Sequence, residues 1–203
     1  MGRTLRGSGA SRPTLYGLQP GTVAGARAGR ERDGMPIARH RSSFLPSTRH
    51  LVPTALATAV TAVAGSVATG RSVGSRWHDR LDKPAFQPPG WLFPIAWTAL
   101  YTDIAVTTAK ALDVLPVVRR RALQRALGVN LLLNAGWSWA FFGTRNVALP
   151  VPVAAALAVS GADLTRRVAQ AQPAYGVALV PYPAWCTFAT VLSASISCRN
   201  PGE

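Results

Sequence analysis

The sequence has few of the residues that build most catalytic and metal sites. Its 203 residues include eight Asp or Glu, three histidines and two cysteines. The histidines are His40, His50 and His78, and the chain contains no HExxH, GxSxG, Walker or CxxC pattern. Cys186 and Cys198 are twelve residues apart on one predicted helix, which is too far for a disulfide. The sequence therefore lacks a familiar catalytic set, and we expect no metal site.

Beyond residue 50 the sequence also lacks charge over long stretches. Five windows contain no Asp, Glu, Lys or Arg, namely 51–70, 84–102, 126–144, 146–162 and 168–198. About 20 apolar residues in a helix cross the hydrocarbon core of a bilayer. The windows therefore predict an all-α integral membrane protein, a five-transmembrane-helix bundle within residues 51–200. A soluble helical bundle is the alternative, but soluble helices normally carry a charged face.

The predicted helices follow these windows, with adjustments for proline and charge. We expect them at about 51–70, 91–112, 122–143, 152–168 and 174–197. The second helix must accommodate Asp103 and Lys110 inside the membrane. Pro150 and Pro152 are expected to delay the fourth helix to about residue 152.

The first 50 residues differ in composition from the rest of the chain. They hold nine Arg, no Lys, and only Glu31 and Asp33, so they contribute +7 of the net charge of +14. Because Gly, Ser, Pro and Arg dominate and no apolar periodicity is visible, we expect 1–50 to be a disordered extension. Three interpretations stay open: a transit peptide, electrostatic attachment to anionic lipid or nucleic acid, and a dispensable tail or an early start, with Met35 as a later candidate.

The distribution of arginine predicts an orientation in the membrane. Arg119–Arg121 and Arg166–Arg167 share a side with the Arg-rich extension, whereas Asp79 and Asp82 offset the basic residues of the opposite side. Positive residues favour the cytoplasmic side, so the 71–90 loop should lie outside. We expect a multi-pass protein of a bacterial cell membrane, with a mitochondrial or other organelle membrane as the alternative.

Residues 76–101 join a proline-rich loop to an aromatic helix. Pro84, Pro88 and Pro89 disfavour helix in the residues before them, so 83–90 should be extended or turned. The next residues recur at three- and four-residue steps on one helix face: Pro94, Trp97, Thr98 and Tyr101. Such a face suits a large flat ligand.

The third and fifth predicted helices carry similar stripes. The third stripe holds Asn130, Asn134, Trp137 and Phe141, and the fifth holds Pro181, Tyr182, Trp185, Phe188 or Ala189, and Leu192. An unpaired amide is costly in hydrocarbon, so both asparagines should face the bundle interior. Spacing alone does not decide whether they join helices or contact a ligand. Pro181 and Pro183 should kink the fifth helix.

Three ordered motifs within 76–200 carry a family resemblance. The first is WH at 77–78 with KPAFQPP at 83–89 and FPIAWTALY at 93–101, the second is LNAGWS at 133–138 with FFG at 141–143, and the third is VPYPAW at 180–185 with FAT at 188–190. Together they resemble the TspO/MBR family, also called tryptophan-rich sensory proteins or translocator proteins. His78 and Phe86 stand at two positions where the family pattern has other aromatic residues. Asn130 stands where the family often has Gln, so the position stays polar with a shorter side chain.

The resemblance implies binding of tetrapyrroles such as protoporphyrin IX, in transport or sensing, with porphyrin or haem as ligand and no cofactor. It implies a pocket under the 71–90 loop with ligand contacts at Trp77, Phe86, Pro94, Trp97, Tyr101, Asn130, Asn134, Trp137, Tyr182, Trp185, Phe188 and Ala189. Two alternatives stay open. One is a porphyrin-degrading enzyme that uses Trp97 and Trp185, and the other is a structural or regulatory membrane protein without a small-molecule ligand.

The expected partners are the tetrapyrrole and the lipid bilayer. A homodimer is an open alternative, and no nucleic-acid partner is expected. Animal members of the family bind sterol near the end of the fifth helix, at a site that resembles the weak L/V-x-Y-x-K/R pattern. The matching segment here, 191–199, ends in Arg199 but has no tyrosine, and Ser193 stands where the family commonly has Asn. Cholesterol is therefore not expected as a ligand.

Overall fold

A computed structural model describes residues 45–72, 76–144 and 146–202, so most of the predicted extension at 1–50 lies outside the described residues. The α-helices are α1 Thr48–Ser72, α2 Arg76–Arg80, α3 Leu92–Val114, α4 Val117–Ser138, α5 Pro150–Ala169, α6 Pro173–Leu179 and α7 Pro181–Arg199. A π-helix, Trp139–Gly143, continues α4. The described part of the chain contains no β-strand, in agreement with the all-α prediction.

Proline accounts for the main differences from the predicted boundaries. Helix α5 begins at Pro150, two residues earlier than expected, because a proline in the first helical turn has no intrahelical hydrogen bond to lose. Helix α4 likewise begins at Val117, directly after Pro116. The fifth predicted helix is divided at Val180, just before Pro181, into α6 and α7.

Helix α1 buries its polar side chains and exposes its apolar ones. Thr54, Thr58 and Thr61 are buried. The Thr54 hydroxyl donates to the Ala105 carbonyl of α3 over 3.0 Å, and thereby joins the two helices. The exposed face carries Val52, Leu56, Val60, Val63 and Val67. A soluble protein would bury this face, so the pattern indicates a helix that faces lipid.

Within the described residues, two helical segments are long and apolar enough to cross a membrane, Thr48–Gly70 and Pro173–Arg199. Length and composition do not separate such helices from the core helices of soluble proteins, so the exposed surface is the more informative feature. Large apolar side chains are exposed on other helices too, including Ile95 on α3, Leu132 on α4 and Val159 on α5. This apolar exterior is what lipid contact requires.

The core lies between α5 and its neighbours α4 and α7, while α1 packs against α3 and α4. Leu123, Leu157 and Leu164 are among its fully buried side chains. Gly161 allows α5 and α7 to approach, because a Cβ atom there would lie 3.2 Å from Cε1 of Tyr182. This close approach brings the Tyr182 hydroxyl into the centre of the bundle.

Candidate functional site

A cavity of about 580 Å³ lies at the end of the bundle where α3 begins. This volume is within the range of roughly 300–1,000 Å³ that is usual for small-molecule sites. The walls come from α1, α3, α4 with its π-helix, and α7, and the segment between α2 and α3 covers one side. The lining residues are Ala62, Gly65, Ser66, Thr69, Gly70, His78, Leu81, Lys83, Gln87, Gly90, Phe93, Pro94, Trp97, Thr98, Tyr101, Trp137, Ser138, Phe141, Phe142, Leu192, Ser193 and Ile196.

One wall of the cavity is a continuous row of aromatic rings. The Trp97 ring centroid is 5.5 Å from that of Tyr101 and 6.2 Å from that of Trp137. Trp137 stacks on Phe141 at 6.1 Å, and Phe141 meets Phe142 edge-on at 4.8 Å. The π-helix brings Phe141 and Phe142, neighbours in sequence, to the same cavity. The row presents ring faces and edges to any molecule in the cavity.

Helix α2 and the covering segment after it supply the basic groups of the site, His78 and Lys83. The Nδ1 atom of His78 lies 3.7 Å from Oδ1 of Asp79. Burial lowers the pKa of His78 and the Lys83 ammonium lowers it further, which together outweigh the opposing effect of Asp79. Among the described residues that line the cavity, Lys83 therefore provides the positive charge. No acidic side chain is among the described residues that line it.

The end of α7 and Asn200, the residue that follows it, hold the covering segment in place. The Asp82 amide donates to Oδ1 of Asn200 over 2.9 Å, and Nδ2 of Asn200 donates to the Asp82 carbonyl over 3.0 Å. Arg199 adds a contact of 3.4 Å to the Asp82 carboxylate. Leu81, next to this contact, is buried with Phe141 in a second apolar cluster. These contacts fix one end of the segment over the cavity.

We therefore expect Asn200→Ala to loosen the covering segment without unfolding the helices. The change removes the two hydrogen bonds to Asp82, of about 0.5–1.5 kcal/mol each, so amide exchange in residues 81–91 should become about tenfold faster. Mass spectrometry of deuterium uptake would measure this. Asn146→Ala is the matched control, because Asn146 also accepts two backbone hydrogen bonds, from Ala148 and Leu149. Equal acceleration at 81–91 in both variants would contradict the assigned anchor.

The structure places four of the predicted contact residues on the cavity wall: Pro94, Trp97, Tyr101 and Trp137. Three others, Asn130, Asn134 and Tyr182, are fully buried in the core behind it. Tyr182 donates to Oδ1 of Asn130 over 2.6 Å and accepts from Nδ2 of Asn134 over 3.4 Å. Tyr101 donates to Oδ1 of Asn134 over 2.6 Å. In this arrangement the two asparagines join helices and position Tyr101.

The remaining predicted contacts lie beside the cavity. Trp185 packs on Phe93 at 6.0 Å and on Phe188 at 5.4 Å, and Phe86 packs on Phe188 at 6.3 Å. The last two are Trp77, which meets Phe141 at 6.5 Å, and Ala189, which is buried. Of the two tryptophans assigned to the degrading enzyme, only Trp97 lines the cavity, whereas Trp185 contacts the lining residue Phe93.

Sequence reasoning missed the contribution of α1 to the site. Its lining residues are small and recur at helical spacing: Ala62, Gly65, Ser66, Thr69 and Gly70. At Gly65 a Cβ atom would lie 3.0 Å from the Ser138 hydroxyl oxygen, so glycine permits close packing of α1 on α4. This run of small residues was the available signal. Sequence reasoning also missed Ser193 and Ile196 of α7. These residues face the cavity because of the way α7 is rotated about its own axis.

The fold and the cavity define a class of protein: an all-helical bundle with an apolar exterior and an aromatic cavity at one end. Comparison with known proteins then identifies the family. The model of the TspO/MBR family matches residues 54–199, and the chain belongs to this family of membrane proteins, as its motifs predicted.

Named relatives are about one-third identical to the chain over the aligned residues. Protein CrtK of Rhodobacter capsulatus is 33% identical over 143 residues, which are 70% of this chain and 89% of the relative. The tryptophan-rich protein TspO of Archaeoglobus fulgidus is 32% identical over 154 residues, 74% of this chain and 96% of the relative. The human translocator protein is 32% identical over 134 residues, 64% of this chain and 78% of the relative.

Proposed function

We propose that this protein binds a tetrapyrrole in the cavity and takes part in its transport or sensing. The row of rings that runs from Tyr101 through Trp97 and Trp137 to Phe141 carries the proposal. A flat conjugated ligand gains both buried apolar area and ring contacts along such a wall. The cavity volume of about 580 Å³ suits a ligand of this size class. The family resemblance supplies the chemical class of the ligand.

We infer five membrane-crossing segments: α1, α3, α4 with the π-helix, α5, and α6 with α7. The shortest, α5, has 20 residues, and 20 residues at about 1.5 Å each span roughly 30 Å. Arginines at the start of α4 and the end of α5 lie at the end of the bundle opposite the cavity. By the positive-inside rule this end faces the cytoplasm and the cavity faces the other side.

The test of the proposed function is a titration of the detergent-purified protein with protoporphyrin IX. Because Trp97 and Trp137 line the cavity, bound porphyrin should quench tryptophan fluorescence and the quenching should saturate. Quenching that rises linearly with porphyrin, as it does for free tryptophan, would contradict the proposal. Loss of the porphyrin absorbance that requires both protein and light would support the degrading enzyme instead.

The carboxylates of the porphyrin lead to a second prediction, because the positively charged side chain of Lys83 lines the cavity. We expect Lys83→Gln to weaken protoporphyrin IX binding about fivefold, which corresponds to roughly 1 kcal/mol for a partly exposed ion pair. Affinity for the uncharged dimethyl ester should not change. The matched control is Lys110→Gln, which removes the other lysine of the chain; Lys110 lies over the Tyr175 ring and away from the cavity. An equal effect on acid and ester would refute a charge contact.

Sterol binding should be absent from the end of α7. Leu192, Ser193 and Ile196 of this segment face the cavity, and the segment contains no tyrosine that could pack on a sterol from outside. We expect photocrosslinking with a sterol probe to give no labelling of residues 188–199 that excess unlabelled sterol can compete away. An added aromatic ring in Ala194→Tyr should raise competable labelling modestly. Saturable labelling of the unmodified chain would overturn the prediction.

A further inference from the structure

A second cavity, of about 410 Å³, opens between α4 and α5 toward the basic end of the bundle. It is lined by Ala122, Arg125, Ala126, Val129, Ser160, Asp163 and Arg167. Arg125 and the first-cavity residue Trp137 are twelve residues apart on α4, about 18 Å along the helix. We propose that this groove binds an anionic phospholipid, with the lipid phosphate at Arg125, Arg167 and Ser160.

The charges of the groove favour an anion. Asp163 is already paired, because Arg166 contacts one of its carboxylate oxygens at 2.7 Å and Arg167 contacts the other at 2.5 Å. Arg125 forms no ion pair or hydrogen bond with any residue in the described ranges, although it lines the groove. Arg125, Arg166 and Arg167 together outnumber the single carboxylate of Asp163, so the groove and its edge carry net positive charge. A lipid phosphate would give Arg125 the charge-assisted hydrogen bonds that it lacks.

Ser160 supplies a hydroxyl whose oxygen accepts a hydrogen bond from the core and whose proton stays available as a donor. Nδ2 of Asn130 donates to the Ser160 hydroxyl oxygen over 3.3 Å, while Oδ1 of Asn130 accepts from Tyr182. The series of donors begins at Tyr101 in the first cavity and runs toward Ser160. Because Ser160 is the last acceptor in this series, its own proton is free to turn to the groove. None of the hydrogen bonds among the described residues uses that proton.

The shape of the groove favours a lipid over a free anion. Its floor is apolar, formed by Ala122, Ala126 and Val129, and Val129 is an exposed side chain of the outer surface. An acyl chain can lie on these residues while the phosphate meets the arginines. The groove also lies where the arginine-rich start of α4, Arg119–Arg121, meets the membrane surface, and anionic headgroups of the cytoplasmic leaflet lie at this level.

The lipid site can be tested without porphyrin, which separates it from the proposed function. Delipidated protein in detergent would be titrated with phosphatidylglycerol, phosphatidylcholine or inorganic phosphate, and lipid adducts would be counted by native mass spectrometry. We expect saturable binding of one phosphatidylglycerol, at least fivefold weaker binding of phosphatidylcholine, and no competition by millimolar phosphate. Equal binding of both lipids, or full competition by phosphate, would overturn the proposal.

Single substitutions distinguish specific binding in the groove from a general attraction of anionic lipid to basic residues. Arg125→Gln should weaken phosphatidylglycerol binding about fivefold, as expected for one basic residue near an anionic headgroup. Ser160→Ala should weaken it about threefold or more, through loss of the donated hydrogen bond. Arg119→Gln is the matched control, because Arg119 is an exposed arginine of the same helix outside the groove. All three variants should retain porphyrin binding. Equal losses in Arg125→Gln and Arg119→Gln would refute a specific site.

Discussion

Replacing Tyr182 by phenylalanine is expected to destabilise the bundle by about 1–3 kcal/mol, and replacing it by alanine by about 3–5 kcal/mol. Tyr182 of α7 is fully buried against α5, and its hydroxyl is hydrogen-bonded to both Asn130 and Asn134 of α4. Phenylalanine keeps the ring but leaves each amide short of one partner in an apolar core. Alanine also leaves a cavity that the packed helices cannot fill. Thermal or SDS unfolding in detergent would measure both losses.

Tyr175→Phe is the matched control for this prediction. Tyr175 is only partly buried, and its ring packs on the core while Lys110 lies over its face at 5.7 Å. Its hydroxyl takes part in none of the hydrogen bonds among the described residues, so the loss should stay below about 0.5 kcal/mol. Hydrogen bonds between membrane helices average only about 0.6 kcal/mol each, because the unfolded state in the bilayer also finds partners. Tyr182→Phe removes two such bonds, so its cost should lie toward the lower end of the predicted range. If Tyr182→Phe lowers the free energy of unfolding no more than Tyr175→Phe does, the hydrogen bonds of the Tyr182 hydroxyl to the two asparagines do not stabilise the bundle.

The burial of the asparagines could be predicted from the sequence, but their partner could not. Asn130 and Asn134 share a stripe with Trp137, and the cost of an exposed amide in hydrocarbon is enough to turn that stripe inward. The partner Tyr182 lies about 50 residues further along the chain. Its position depends on the close contact of α5 with α7 at Gly161, and helical periodicity contains no information about such a contact.

Because helical periodicity does not encode contacts between helices, the sequence predicted some elements and lining residues and missed others. Helix α2 was missed because its five residues, RWHDR, have no apolar periodicity. On α7 the residues Trp185 and Leu192 lie on one stripe, seven residues apart, yet only Leu192 reaches the cavity. Phe93 of α3 lies against Trp185 and lines the cavity in its place. Which part of a stripe meets a ligand therefore depends on the side chains of the facing helix.

Trp97→Ala is expected to weaken porphyrin binding at least tenfold while leaving the helical content unchanged. Trp97 lies in the middle of the aromatic row, between Tyr101 and Trp137. Stacking contributes about 0.5–1.5 kcal/mol beyond the buried area, and the lost area of a large ring brings the total above roughly 1.4 kcal/mol, which is tenfold in affinity. Porphyrin absorbance should be the readout, because the variant itself removes a fluorescent tryptophan.

Alanine variants of two further tryptophans would show which part of the site contacts the porphyrin. Trp91→Ala is the control, since Trp91 immediately precedes α3, is 65% exposed and does not line the cavity. We expect its affinity for porphyrin to equal that of the unmodified protein. Trp185→Ala should have an intermediate effect, because Trp185 supports Phe93 from behind. If Trp185→Ala instead costs more than Trp97→Ala, the ligand lies among Phe93, Trp185 and Phe188, and the cavity beside Trp97 is not its site.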